Sequence, residues 1–125
     1  MLFPENLRYT KDHEWIKVDG DIATIGITDF AQQELGDIVY IEIETKGKPL
    51  AAEAVFGTVE AVKTVSDLFL PISGTINEVN SALEANPELV NTDPYGEGWM
   101  IKMTIDNPAD VEKLMSTAAY QQMVL

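Results

Sequence analysis

The stretch VFGTVEAVKTVSDLFLP, running from Val55 to Pro71, decides how the rest of the chain is read. Two runs rich in β-branched and aromatic residues, Val55 to Val62 and Val65 to Leu70, read as strands, with Pro71 and Gly74 as punctuation after the second. Between them lies a tip of Val62, Lys63 and Thr64. It contains none of the Gly, Asn, Asp or Pro that short hairpin loops ordinarily use. Good strands around an ill-suited turn break a local rule, and such breaks gather at functional sites. A lysine at a hairpin tip holds its ammonium in solvent, where a modifying enzyme can reach it. Its amine can form a stable amide with a carboxylic-acid cofactor, which removes the charge. The lysine stem and a cofactor chain together would reach on the order of a dozen ångströms at ordinary bond lengths. Taken alone, Lys63 still reads as a solvated loop lysine.

Working outward, strands outnumber helices. His13 to Val18 and Ile22 to Ile27 flank Asp19, Gly20 and Asp21, a hairpin signal. Thr28 and Asp29 offer an N-cap for a short helix over Phe30 to Leu35, with Gly36 as its stop. Ile38 to Ile43 reads as a strand, and Lys46 to Pro49 as a turn. Thr75 to Val79 and Trp99 to Ile105 are further strands, with a long irregular region between Asn86 and Gly98. Asn107 and Pro108 start a helix, with Asp110 and Glu112 near its positive end. Ser116 caps a last helix containing Tyr120 and Leu125. Many short strands with frequent turns imply a β-sandwich or partly open barrel carrying small helices. No linker or low-complexity segment divides the chain, so residues 1–125 read as one domain.

Composition narrows the function. Lys and Arg number 8 against 21 Asp and Glu, a formal net charge of −13. Nucleic acid is a poor partner for such a surface, since phosphate is repelled. Acidity serves solubility and speeds encounter with basic partner surfaces, and composition alone does not choose between the two. With no cysteine there is no disulfide, thiolate metal site or Cys nucleophile. The single histidine, His13, gives no metal-ligand pattern. It is a proton shuttle or, more simply, a packed strand residue. Trp15 and Trp99 read as packing residues. The glycines at 20, 26 and 36 lack phosphate-loop spacing. No apolar run is long enough to span a membrane. Met1 to Glu5 shows neither signal nor transit character, so the expectation is a cytoplasmic protein.

Six stretches add a resemblance: YTKDHEW (Tyr9 to Trp15), ATIGITDFAQQELG (Ala23 to Gly36), GTVEAVKTVSDLFLP (Gly57 to Pro71), SGTINEVN (Ser73 to Asn80), NPELVN (Asn86 to Asn91) and DPYGEGWMIK (Asp93 to Lys102). In this order, over nearly the whole length, they resemble the glycine cleavage system H protein family. The resemblance implies a mainly β, lipoyl/biotinyl-type β-sandwich (a barrel-sandwich hybrid) with short helices, including C-terminal ones. It implies a non-catalytic carrier with lipoate amide-linked to Lys63. Glu60, three residues before, Gly47, sixteen before, and Gly74, eleven after, match positions read by lipoate-attaching enzymes. For both glycines, turn geometry is an equally good reason. The partners implied are a pyridoxal-phosphate glycine decarboxylase, a tetrahydrofolate-dependent aminomethyltransferase and dihydrolipoyl dehydrogenase. The aminomethyl group would pass from the first to the second and the dithiol to the third. A monomer is expected, with no membrane or metal.

The family also parks its arm in a cleft of the carrier. The matching positions are Glu14 and Asp67 as acidic partners for an amine, with Asp12 added, and Ile27, Ala31 and Leu35 as apolar wall. Relatives can carry an uncharged hydroxyl residue in place of Asp12. The wall residues have the spacing of one helix face and also suit plain core positions. Ala61 stands where many relatives carry Ser. Other readings remain open. A biotinyl domain usually sets its lysine between methionines. An acyltransferase lipoyl domain usually shows Asp-Lys-Ala at the tip and continues into further domains. A lipoyl relay would donate its cofactor to other proteins. An unmodified module would use only its acidic surface.

Overall fold

The computed structural model describes residues 1–125. The strands are β1 (Arg8–Tyr9), β2 (Glu14–Asp19), β3 (Ile22–Ile27), β4 (Ile38–Glu42), β5 (Pro49–Leu50), β6 (Val55–Ala61), β7 (Val65–Phe69), β8 (Gly74–Val79) and β9 (Ile101–Ile105). They form a six-stranded sheet in the order β1-β2-β3-β9-β8-β5 and a three-stranded sheet in the order β4-β6-β7. Every pairing is antiparallel. The helices are α1 (Asp29–Leu35), α2 (Ala82–Ala85), α3 (Leu89–Thr92) and α4 (Thr117–Val124), with a 3₁₀ helix at Pro108–Lys113. No helix is long and apolar enough to cross a membrane. The mainly β fold with short helices, one of them C-terminal, is the one the six stretches implied.

Strand alternation builds two apolar clusters from the same residues' neighbours. Ile16, Ile25 and Ile27 of the larger sheet face Ile38, Ile41, Phe56, Val59 and Leu68 of the smaller within one cluster of 19 buried residues. Trp15, one step along β2 from Ile16, belongs instead to a second cluster with Leu7, Tyr9 and Tyr120. Trp15 pairs with Gly26 across the β2–β3 ladder. A Cβ on Gly26 would come within 2.8 Å of the indole ring, so only glycine admits the tryptophan there. The indole N–H donates to Pro94 O at 3.0 Å.

Several local readings change. The β2–β3 loop consists of Gly20 and Asp21, because Asp19 already pairs with Ile22, and Gly20 takes φ +66°. His13 is not a strand residue. It sits at φ +66° just before β2, pinned by its N–H to Thr10 O and its carbonyl to Thr28 N–H. The last long strand starts at Ile101 rather than Trp99. The stretch read as irregular holds one helical turn, α3, and a further turn not read from the sequence, α2, stands just before it. Asn80 donates to the carbonyls of Glu97 and Trp99, and its Oδ1 accepts from Ala82 N–H. The helix at Pro108 is 3₁₀, with Asn107 Oδ1 accepting from Ala109 N–H at its start.

Asn91 ties α3 to the end of α1. Its Nδ2 donates to Gln32 Oε1 and Gly36 O, both at 2.9 Å, and its Oδ1 accepts from Ile38 N–H at 2.9 Å. One amide thus fixes where α1 stops and β4 begins. Asn91→Ala removes all three bonds from a partly buried site. It should lower stability by about 2 kcal/mol, read as a lower urea midpoint with unchanged slope.

Candidate functional site

The β6–β7 hairpin forms as read, with Thr58 opposite Asp67, Val59 opposite Ser66 and Glu60 opposite Val65. Ala61 N–H donates to Thr64 O at 2.8 Å, and Val62 N–H reaches across to Asp37 O at 3.1 Å. The ill-suited turn is therefore held from outside, by the segment that follows α1. Lys63 is exposed at its tip and makes no ion pair or hydrogen bond. Val62 and Val65 beside it are 70% and 61% exposed. An acyl group on Lys63 would cost the fold no contact. Ala61 is buried, so its side chain faces the hairpin's interior rather than its surface.

Of the residues that the resemblance ties to lysine modification, Glu60 is exposed on β6, on the lysine's own hairpin. Gly47 and Gly74 belong to the other sheet's surroundings. Gly47 takes φ +86° in the β4–β5 turn, and its N–H donates to Ile76 O at 2.6 Å. Gly74 is buried at the start of β8, where a Cβ would collide with Met103 Cε and Thr104 O. Both glycines have structural work of their own.

The six cleft residues do converge. Asp12, Glu14, Ile27, Ala31, Leu35 and Asp67 line one cleft of about 160 Å³, room for about five water molecules. Ile27 ends β3 while Ala31 and Leu35 lie on α1, so their shared face comes from a strand–helix junction. All three also belong to, or pack against, the core between the sheets. His13, Glu34, Val59, Ser66 and Leu68 complete the lining. Glu34 had a sequence signal, since it stands three residues after Ala31 on the helix. His13 had none, because its place depends on the loop before β2. A larger depression of about 490 Å³ lies along α4, bounded by Ala118, Gln121, Gln122 and Leu125, and carries no titratable side chain.

Glu14 dominates the electrostatics. It is 2% exposed, and no cation contacts it. Oε1 accepts from Thr10 Oγ1 at 2.8 Å, and Oε2 from Phe69 N–H at 3.2 Å. Burial pushes its carboxyl up to about 8, against those two hydrogen bonds, with Asp12 and Glu53 adding repulsion. At pH 7 the acid is largely neutral unless a cation docks beside it. His13 is shifted down by burial, with Asp12 and Glu34 pulling the other way. Between the ordinary carboxylate range and about pH 8 the folded state holds a proton that the unfolded state has released. Glu14's contribution to folding stability therefore falls as pH rises through that window, against the smaller opposite contribution of His13, whose pKa burial lowers. Glu14→Gln removes the ionisation: its Oε1 takes the bond from Phe69 N–H, and its Nε2 donates to Thr10 Oγ1, reversing that one bond. Thermal unfolding at pH 5, 6.5 and 8 should show the variant gaining on the parent by a few kcal/mol towards pH 8.

With this geometry in view, the likeness to known proteins is direct. The family model described as glycine cleavage H-protein matches residues 7–125. A glycine cleavage system H protein of Bacteroides fragilis is 57% identical over 124 residues, 99% of this chain and 98% of that protein. One of Chlorobaculum tepidum is 60% identical over 126 residues, with the same coverage. The crystal structure of a glycine cleavage system H protein from Mycobacterium marinum superposes with a TM-score of 0.88 at 39% identity, covering 98% of this chain and 99% of that one. A tip lysine, an acidic cleft and matches that run nearly end to end lead to one conclusion: this chain belongs to the glycine cleavage H-protein family.

Proposed function

We propose that this chain, acting as one domain over residues 1–125, is a lipoyl carrier of the glycine cleavage system. In this reading Lys63 holds lipoate as an amide. The carrier takes a one-carbon amine unit from a pyridoxal-phosphate glycine decarboxylase to a tetrahydrofolate-dependent aminomethyltransferase, and presents the dithiol to dihydrolipoyl dehydrogenase. The chain itself is non-catalytic, monomeric and cytoplasmic. When bound, lipoate supplies a disulfide that is opened by reduction and can carry a group on sulfur. The observation that carries the proposal is an unpaired, exposed Lys63 on a braced hairpin in a chain of this family.

The chain's own residues divide the remaining work. The paired strands fix the base of the arm while its length sweeps. Asp67 lies four residues along β7 from Lys63, about 13 Å at ordinary strand rise, which matches the reach of the arm. Asp12, Glu34 and Asp67 face a docked ammonium, and Glu14 gives up its proton to meet one. Ile27, Ala31 and Leu35 exclude water from the amine's carbon. Glu60, Gly47 and Gly74 set the frame that lipoate-attaching enzymes read.

Protein from its native host should show a lipoyl mass increment, mapped to the peptide bearing Lys63, and Lys63→Arg should abolish it. A biotinyl increment would select the other carrier class, and unmodified protein from a lipoylation-competent host would sink both. In a glycine–bicarbonate exchange assay with the decarboxylase, the unmodified chain should lose nearly all activity. Once loaded, Glu14→Ala should release ammonia spontaneously at several times the parent rate. An unchanged rate would remove Glu14 from the dock.

A further inference from the structure

Tyr120 does more than seat the C-terminal helix. It is fully buried and stacks on Tyr9, with ring centroids 4.6 Å apart and 5° between the planes. Its hydroxyl sits between two partners, Thr28 Oγ1 at 2.7 Å and His13 Nδ1 at 2.9 Å. Thr28 is the N-cap of α1, and its hydroxyl oxygen accepts from Ala31 N–H at 3.1 Å. His13 lines the cleft and packs on Phe30, with ring centroids 4.8 Å apart. Three side chains therefore connect α4 to the helix that walls the cleft and to the cleft's own imidazole.

The direction of the protons follows by elimination. Thr28 is 0% exposed, and its hydroxyl proton has one acceptor, Tyr120 Oη. Tyr120 then accepts from Thr28 and donates its own proton onward to His13 Nδ1. An imidazole that accepts at Nδ1 is neutral and carries its proton on Nε2. An imidazolium would have to donate from Nδ1 to Tyr120. Tyr120 would turn to Thr28, and the threonine proton would be stranded in the interior at the full desolvation cost of an unmade bond. Burial of His13 pulls the same way. The Tyr120 phenol, pushed up to about 12 by burial, stays a donor throughout the physiological range.

We infer that Tyr120 is a positioning residue of the cleft: through a one-way relay from Thr28 to Tyr120 to His13, it holds the chain's only histidine neutral, with its proton on Nε2, so that the cleft meets a cationic guest with acidic groups and no cation of its own. This deepens, and rests on, the reading of the cleft as the dock for a cationic arm. The titratable groups that share the cleft with the imidazole are Asp12 beside it, Glu14 on β2, Glu34 on α1 and Asp67 on β7, all acidic. Protonated His13 would cancel part of that wall. Through Thr28 it would also loosen the first turn of α1.

Long-range ¹⁵N–¹H NMR of the unmodified chain at pH 7 reads the relay directly. Nδ1 should resonate as an unprotonated nitrogen and Nε2 as a protonated one. Tyr120→Phe keeps the stacked ring and removes the relay. It should give a mixture of tautomers, with the His13 pKa rising towards its ordinary value. Thr28→Ala removes the proton that would be stranded and should also raise it, while Thr28→Ser should read as the parent does. A parent chain protonated on Nδ1, or a tautomer and titration unchanged in Tyr120→Phe, would overturn the relay. These readouts need no cofactor on Lys63. An arm that docks elsewhere would show itself separately, as a His13 titration that does not move to lower pH when the loaded arm is attached, and would overturn the cleft's part in the proposal.

Discussion

A buried carboxyl group joins the two sheets. Glu14 starts β2 of the larger sheet, and its Oε2 accepts from the Phe69 N–H at the end of β7 in the smaller one. β7 is an edge strand, so without this acceptor a backbone donor would be left without a partner where the sheets meet. Thr10 holds the other oxygen and draws the loop before β2 into the same arrangement. That loop carries Asp12 and His13 to the cleft. The same desolvation that makes the clasp tight makes the carboxyl reluctant to ionise. The group that clasps the two sheets is thereby one that burial holds towards its neutral form.

The hairpin and the cleft share a second constraint. The tip around Lys63 has poor turn residues, and its regularity comes from the ladder with β4 and from Asp37, which follows α1. α1 in turn is stopped by Asn91 and started by Thr28. The segment that steadies the lysine is therefore continuous with the helix that walls the cleft. A rigid base with a cleft about 13 Å away at ordinary strand rise is the geometry on which the proposed tethered arm rests.

The ends of the chain close the remaining side. Tyr9 and Tyr120 stack between the first strand and the last helix, with Phe3 at their edge. Tyr9 O–H donates to Pro4 O at 2.6 Å, and Thr117 donates to the same carbonyl at 3.0 Å. Residues more than a hundred positions apart thus meet behind His13. The acidic surface, with 21 carboxylates against 8 basic residues, leaves basic faces as the natural complement on any partner.

Much of this was legible along the chain, where short-range patterns carry the information. Alternation marked the hairpin of β6 and β7, and Thr28 and Gly36 bracketed α1, because caps and strand periods are local properties. The family likeness supplied the cleft residues, and the fold brought all six together. What sequence alone did not settle depended on distant groups. His13 lies outside any strand because Thr10 and Thr28 hold its backbone. The turn of α2 starts where the Asn80 amide accepts from Ala82 N–H while donating to the distant carbonyls of Glu97 and Trp99. Glu14 reads as a charged residue in the sequence, and only the closure of β7 over it makes it a neutral acid. Sequence by itself determined the longer strands, though not the two-residue β1 and β5, and with them the exposed lysine and the family. The tertiary structure decided which side chains lose water, and so the protonation of the cleft, because desolvation depends on everything packed around a group and not on its neighbours in the chain.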